Sequence, residues 1–106
     1  MITFDDFKKM DMRIGKILSA EKVEGTDKLM KIEIDLGTEK RQLVAGIADM
    51  YEPHSLIGKE IPVLMNLEPR KIRGFESQGM ILAVDVEGKP VIMHPDREVP
   101  PGSAIR

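Results

Sequence analysis

Met30-Lys31-Ile32-Glu33-Ile34-Asp35-Leu36 alternates apolar and charged residues without a break, the period of a strand with one buried and one wet face. Gly37-Thr38-Glu39 follows as a turn, and Gln42 to Ala45 returns as the next strand. Upstream, Met12, Ile14 and Leu18 alternate with Arg13 and Lys16, while Gly15 and Ile17 disturb the phase. A glycine inside a strand pattern predicts a bulge or bend at a barrel corner. Nearer the N-terminus, Thr3 offers a capping oxygen, and Asp5 and Asp6 suit the positive end of a helix dipole. Phe4, Phe7 and Met10 share one stripe, so residues 3–10 are predicted as a short helix. Downstream, residues 48–58 leave room for a turn or two of helix. Ile61 to Met65 reads as a fourth strand, with Pro62 placing its start at an edge. Asn66 to Gln78 reads as a polar loop and Gly79 to Asp85 as a fifth strand. Glu87-Gly88-Lys89 then turns the chain into Val91-Ile92-Met93, ahead of a proline-rich tail from Pro95 to Gly102.

Three strands in a meander, a short helical connection and two further strands is the order of a five-stranded Greek-key barrel, the OB-fold. Spacing alone also permits other small barrels. The expectation is all-β: residues 1–106 form a single barrel domain with a short N-terminal helix, a short helix between strands three and four, and a C-terminal extension. Its 42% hydrophobic and 32% charged residues, with a net charge of only −2, suit one packed core rather than disorder.

Composition excludes several functions. The chain has no cysteine, so disulfide scaffolds, thiolate metal sites and cysteine nucleophiles are excluded together. The longest apolar run, Met80 to Val84, falls far short of the ~20 residues that span a bilayer. The N-terminus lacks the basic start and apolar stretch of a signal peptide, so a soluble cytoplasmic protein without membrane association is expected. Ser77 lies three residues after Gly74 and two before Gly79, the wrong spacing for a nucleophile elbow. Gly25-Thr26-Asp27-Lys28 lacks the second glycine of a phosphate loop. His54 and His94 have no paired ligand spacing, and Asp5-Asp6 is helix-start chemistry. No catalytic residue, metal or cofactor is expected.

The balanced charge also argues against a general basic coat for nucleic acid, so any such site must be a local patch. Phe4, Phe7, Phe75 and Tyr51 are the only aromatic residues, a poor supply for stacking successive bases. The local patch is Asn66-Leu67-Glu68-Pro69-Arg70-Lys71-Ile72-Arg73-Gly74-Phe75-Glu76-Ser77-Gln78-Gly79-Met80. Arg70, Lys71 and Arg73 fall within four positions. In an extended chain Lys71 and Arg73 point the same way, leaving Ile72 to anchor the segment. Ser77 and Gln78 add neutral donors, equipment for gripping phosphates and 2′-hydroxyls without stacking. The alternative is a solvated connecting loop, with Met80 an ordinary core residue.

At this loop the sequence also resembles the OB-fold tRNA-binding domain appended to many methionyl-tRNA synthetases and found elsewhere as small free-standing proteins. The resemblance is carried by Asp5-Phe7, Asp11-Met12-Arg13-Ile14-Gly15-Lys16-Ile17, Asp27-Lys28-Leu29, Ile34-Asp35-Leu36-Gly37 and Val44-Ala45-Gly46-Ile47. Its most specific pieces are Asn66-Leu67, Pro69-Arg70-Lys71-Ile72-Arg73-Gly74, Ser77-Gln78-Gly79-Met80 and the closing Pro100-Pro101-Gly102. In length the chain is similar to the free-standing forms called methionyl-tRNA synthetase beta subunits. It departs from the family in a shortened Gly25–Leu29 loop without the usual His-Pro, and in Glu68 where relatives often carry lysine.

The resemblance implies a non-catalytic tRNA-binding homodimer that reads tRNA by shape and backbone and assists a methionyl-tRNA synthetase catalytic chain in trans. It also implies contacts from Arg13, Lys28, Asn66, Arg70, Lys71, Arg73, Ser77, Gln78 and Met80. Among these, Arg70, Lys71 and Arg73 are expected on phosphate oxygens, Ser77 and Gln78 on sugar or base edges, and Met80 against the ligand. Asn66 has a second reading as a loop brace, and Arg13 as the partner of a carboxylate. A sister branch of the same fold comprises small export-related chaperone dimers, the alternative function.

Overall fold

The computed structural model describes residues 1–106. Helix α1 (Phe4–Lys8) starts at Thr3, whose side chain accepts from the Asp6 N–H while the Asp6 carboxylate accepts from the Thr3 N–H. That reciprocal capping box satisfies two backbone donors that a helix start leaves free. Eleven-residue strand β1 (Met12–Lys22) follows. It pairs antiparallel with β4 (Glu60–Leu64) over Met12 to Lys16, and with β2 (Met30–Asp35) over Lys16 to Lys22. One strand therefore serves both halves of the barrel.

The bulge that lets it do so falls between Ile17 and Ser19, not at Gly15 as the sequence suggested. Gly15 serves close approach instead, since a Cβ there would meet the Ile34 side chain at 2.9 Å. Strands β2 and β3 (Lys40–Ala45) form the expected hairpin, with Gly37 at φ +83° in its turn and its N–H donating to the Asp35 carboxylate at 2.8 Å. Helix α2 (Pro53–Leu56) opens on a proline, whose missing N–H costs nothing at a first turn. It drives Leu56 into the core with Ile17, Met30, Ile32, Ile34, Leu43, Ile61 and Val63.

Two elements differ from the sequence reading. The expected loop after β4 contains a hairpin, β5 (Arg70–Ile72) and β6 (Phe75–Ser77). The expected fifth strand breaks at Leu82 into β7 (Met80–Ile81), paired with β4, and β8 (Ala83–Val86), paired with β9 (Lys89–Ile92). The central sheet runs β3-β2-β1-β4-β7, an all-β, nearly closed antiparallel barrel of the OB type with two short helices.

The proline-rich tail straps the barrel. Val99 N–H donates to the buried Glu60 carboxylate and His94 Nδ1 meets the Glu60 carbonyl, both at 2.8 Å. Gly102, Ser103 and Ile105 then bond along the free edge of β1 at Ile14 and Met12. No helix is long and apolar enough to cross a membrane.

Candidate nucleic-acid interface

The cations found in sequence ride on the β5–β6 hairpin. Arg73 at φ +53° and Gly74 at φ +84° make its two-residue turn, positive at both central positions as a type I′ turn demands. Arg73 is therefore on the turn, and its side chain does not follow the extended-chain parity with Lys71 that the sequence suggested. The paired positions Ile72 and Phe75 lie half-buried towards the barrel, while Lys71 pairs with Glu76 on the other face. Arg70, Lys71 and Arg73 are all exposed, and none belongs to an ion pair. Lys31 from β2 reaches over the Phe75 ring, 4.8 Å from its centroid, and holds Glu21 of β1 at 2.7 Å. The hairpin is thus seated on the outer surface of the barrel rather than waving free.

Its base is fixed to β3 by a seam in which side chains replace a strand. The Gln78 N–H donates to the Gln42 carbonyl at 2.9 Å, and the Gln42 N–H donates back to Gln78 Oε1 at 3.1 Å. The Val44 N–H donates to Ser77 Oγ at 3.0 Å, and that hydroxyl donates to the Gly79 carbonyl at 3.0 Å. Gln42 Nε2 donates to the Glu76 carbonyl at 2.9 Å. An open edge of β3 would otherwise leave these amides unpaired at the point where the barrel must close. Arg41 Nη1 adds bonds to the carbonyls of Met65 at 2.8 Å and Gln78 at 3.2 Å, clamping both ends of the segment that carries the hairpin.

Ser77 consequently corrects the sequence reading. It is 6% exposed and its hydroxyl is committed as both donor and acceptor, so it builds the seam instead of offering a surface hydrogen bond. Gln78 is half-buried, with Oε1 committed to the seam and its amide nitrogen turned towards Glu76 at 3.5 Å. Met80, 45% exposed, follows immediately on β7 and is a surface residue rather than core.

The remaining expected residues lie on other elements. Asn66 braces: its Oδ1 accepts from the Asp11 N–H at 2.9 Å and its Nδ2 donates to the Lys9 carbonyl at 2.6 Å, tying α1 to the end of β4. Arg13 pairs with Asp11 at 2.9 Å and 3.3 Å, and that hydrogen-bonded carboxylate raises its already high pKa. Lys28 is exposed in the β1–β2 connection, where its carbonyl accepts from Ala48 at 2.8 Å. No group of three or more histidine, aspartate or glutamate side chains is placed to hold a metal.

Sequence reasoning missed Arg41, Gln42 and the Lys31–Phe75 contact. Arg41 had left a signal, because it shares strand parity with the core residue Leu43. A cation on the inward face of a strand needs acceptors nearby.

Residues 12–104 match the family described as "Putative tRNA binding domain". The chain belongs to this family. Among its relatives, the methionine–tRNA ligase of Methanothrix thermoacetophila is 53% identical over 106 residues, covering 100% of this chain and 16% of that one. The chain thus spans about a sixth of the length of such ligases. A methionyl-tRNA synthetase-related protein from Pyrococcus horikoshii superposes with a TM-score of 0.95 at 38% identity, covering 100% of this chain and 98% of that one. The chaperone CsaA from Bacillus anthracis gives a TM-score of 0.91 at 35% identity, covering 100% and 99%. This tRNA-binding domain therefore shares its fold with relatives of two described kinds.

Proposed function

We infer that the chain is a non-catalytic tRNA-binding module acting in the cytoplasm as a homodimer, assisting a methionyl-tRNA synthetase catalytic chain in trans. The observation that carries the reading is the seated β5–β6 hairpin of a tRNA-binding domain, presenting Arg70, Lys71 and Arg73 free of ion pairs. Guanidinium and ammonium groups on a rigid element suit phosphate oxygens, which position a nucleic acid without reading its sequence. Gln78 at the hairpin base would meet sugar or base edges and Met80 would pack against the ligand, with Lys28 and Arg13 adding contacts from their own elements. Asn66 and Ser77 would contribute by holding α1 and the hairpin in place.

A salt titration of binding to bulk tRNA tests this. Affinity falls steeply with salt for wild type, and Arg70→Ala with Lys71→Ala flattens the log–log slope by roughly 0.7 to 0.9 per lost contact. Unchanged affinity and slope in that variant would remove the hairpin from the site.

A second reading, polypeptide binding as a chaperone, draws on the CsaA likeness and on Val84, Val86, Val91 and Met93 exposed together on the β8–β9 hairpin. Binding to apolar peptide that ignores salt, with tRNA bound weakly or not at all, would favour it.

A further inference from the structure

Beside the basic hairpin, the outer face of β1, β2 and β3 carries a cleft of about 260 Å³ lined by Ser19, Glu21, Lys31, Glu33 and Gln42, with the side chains of the intervening Ala20 and Ile32 turned to the core. Register explains the grouping. Ser19 pairs with Glu33 across β1 and β2, and Glu33 with Gln42 across β2 and β3, so hydroxyl, carboxylate and amide form one row across three strands. Glu21 and Lys31 form a second row, and their charges satisfy each other. Glu33 is different: it is exposed, central in its row and in no ion pair. An unpaired carboxylate repels phosphate, so this cleft is built for something other than the backbone that the hairpin cations suit.

We propose that the cleft seats one unpaired guanine base of the bound RNA, read by Glu33. This rests on the tRNA-binding reading above and adds a sequence-reading subsite to it. Guanine presents two adjacent donors, the ring N1–H and the exocyclic N2 amine, which match the two oxygens of one carboxylate. Its neighbouring O6 needs a donor, and the row supplies the second hydrogen of Gln42 Nε2, whose first is held by the Glu76 carbonyl. Adenine and uracil offer a carboxylate no such pair of adjacent donors; cytosine offers one amine beside an acceptor. The Lys31 stem provides apolar contact for the ring face, and the Glu21 pair and the Phe75 face hold the Lys31 ammonium aside. A base must leave the helical stack to enter, which restricts the site to loops and single-stranded ends.

The test uses the full chain and oligouridine strands carrying a single central guanine, adenine or inosine, the last lacking the N2 amine. Wild type should bind the guanine strand at least about tenfold more tightly than the adenine strand, with inosine between. Glu33→Gln should bring the guanine and adenine strands within about twofold of each other while leaving adenine-strand affinity the same or higher, an outcome misfolding could not produce. Equal binding of guanine and adenine strands by wild type, or a preference surviving Glu33→Gln, overturns the proposal. Bulk tRNA measured alongside separates the two readings. Salt-dependent tRNA binding without guanine preference sinks only the guanine site, whereas loss of all RNA binding sinks both.

Discussion

Arg73 is where stability and the proposed binding oppose each other. A side chain at φ +53° brings Cβ against the following carbonyl, at roughly 1–2 kcal/mol for an ordinary residue, and asparagine tolerates that region better. Arg73→Asn should therefore hold or raise folding stability by up to about 1 kcal/mol, visible as a higher urea midpoint. The same variant should weaken tRNA binding and flatten its salt slope. A lower urea midpoint would show that the arginine makes a folded-state contact that outweighs the turn strain.

Ser77 tests the opposite assignment. Ser77→Ala leaves the Val44 N–H facing a methyl group in a buried seam, and an unpaired buried amide costs about 1–3 kcal/mol. Urea denaturation should show that loss, and tRNA affinity should fall only near the unfolding transition. A variant of unchanged stability with sharply weakened tRNA binding would return the hydroxyl to the ligand surface. Gly79 beside it is the stricter position, because at φ +142° a Cβ would sit 2.9 Å from the Leu64 carbonyl oxygen.

Among the elements, α1 is short, has no buried residue, and is held by its cap and by Asn66. The Asp6 carboxyl lies below the ordinary aspartate range, first because the Thr3 N–H donates to it, then through Lys9 and the Thr3 side chain. A depressed folded pKa means that the contribution is present above the unfolded value and lost as pH falls through the folded one. Helix α1 should keep its amide-exchange protection through neutral pH and fray only in strong acid, and Asp6→Asn should remove that acid step. Fraying that sets in at neutral pH would place control of the helix elsewhere.

The capping pattern of α1, the alternation of β2 and the turn that returns the chain into β3 were legible because each depends on neighbours in sequence. The β5–β6 hairpin was not. Its strands are three residues each, too short to show a period, and its turn carries arginine where asparagine or glycine would announce it. The role of Ser77 was hidden for another reason: the amide it satisfies belongs to Val44, and no local pattern reveals a partner supplied by closure of the barrel. Of the candidate site, the hairpin cations were legible as charge clustering, while the clamp by Arg41 and the cleft around Glu33 appear only once three strands lie side by side.

At the scale of the whole molecule, the question is what covers the apolar surface left over after the barrel is complete. The tail closes the edge of β1 within the same chain and contributes only its end, at Ile105. Helix α1 supplies more: Phe4 is 71% exposed, its ring stacks on Phe7 at 6.4 Å, and with Met10, Met12 and Ile105 they line an open groove of about 590 Å³. Such a patch on a protein in water favours association, and a patch that covers itself closes most simply as a two-fold dimer. The proposed tRNA function would give such a dimer a purpose. One hairpin on a chain of net charge −2 offers few phosphate contacts, whereas two hairpins on a rigid dimer can engage one RNA together and raise apparent affinity without any new contact. Sedimentation equilibrium at micromolar concentration should give twice the chain mass, and Phe4→Glu, which places a charge in the groove without touching the core, should give the monomer. The monomeric variant should keep its unfolding free energy within about 0.5 kcal/mol of wild type yet bind tRNA at least about tenfold more weakly. A wild-type monomer binding at full strength would sink both the interface and its purpose; a Phe4→Glu dimer would move the interface to the β8–β9 valines.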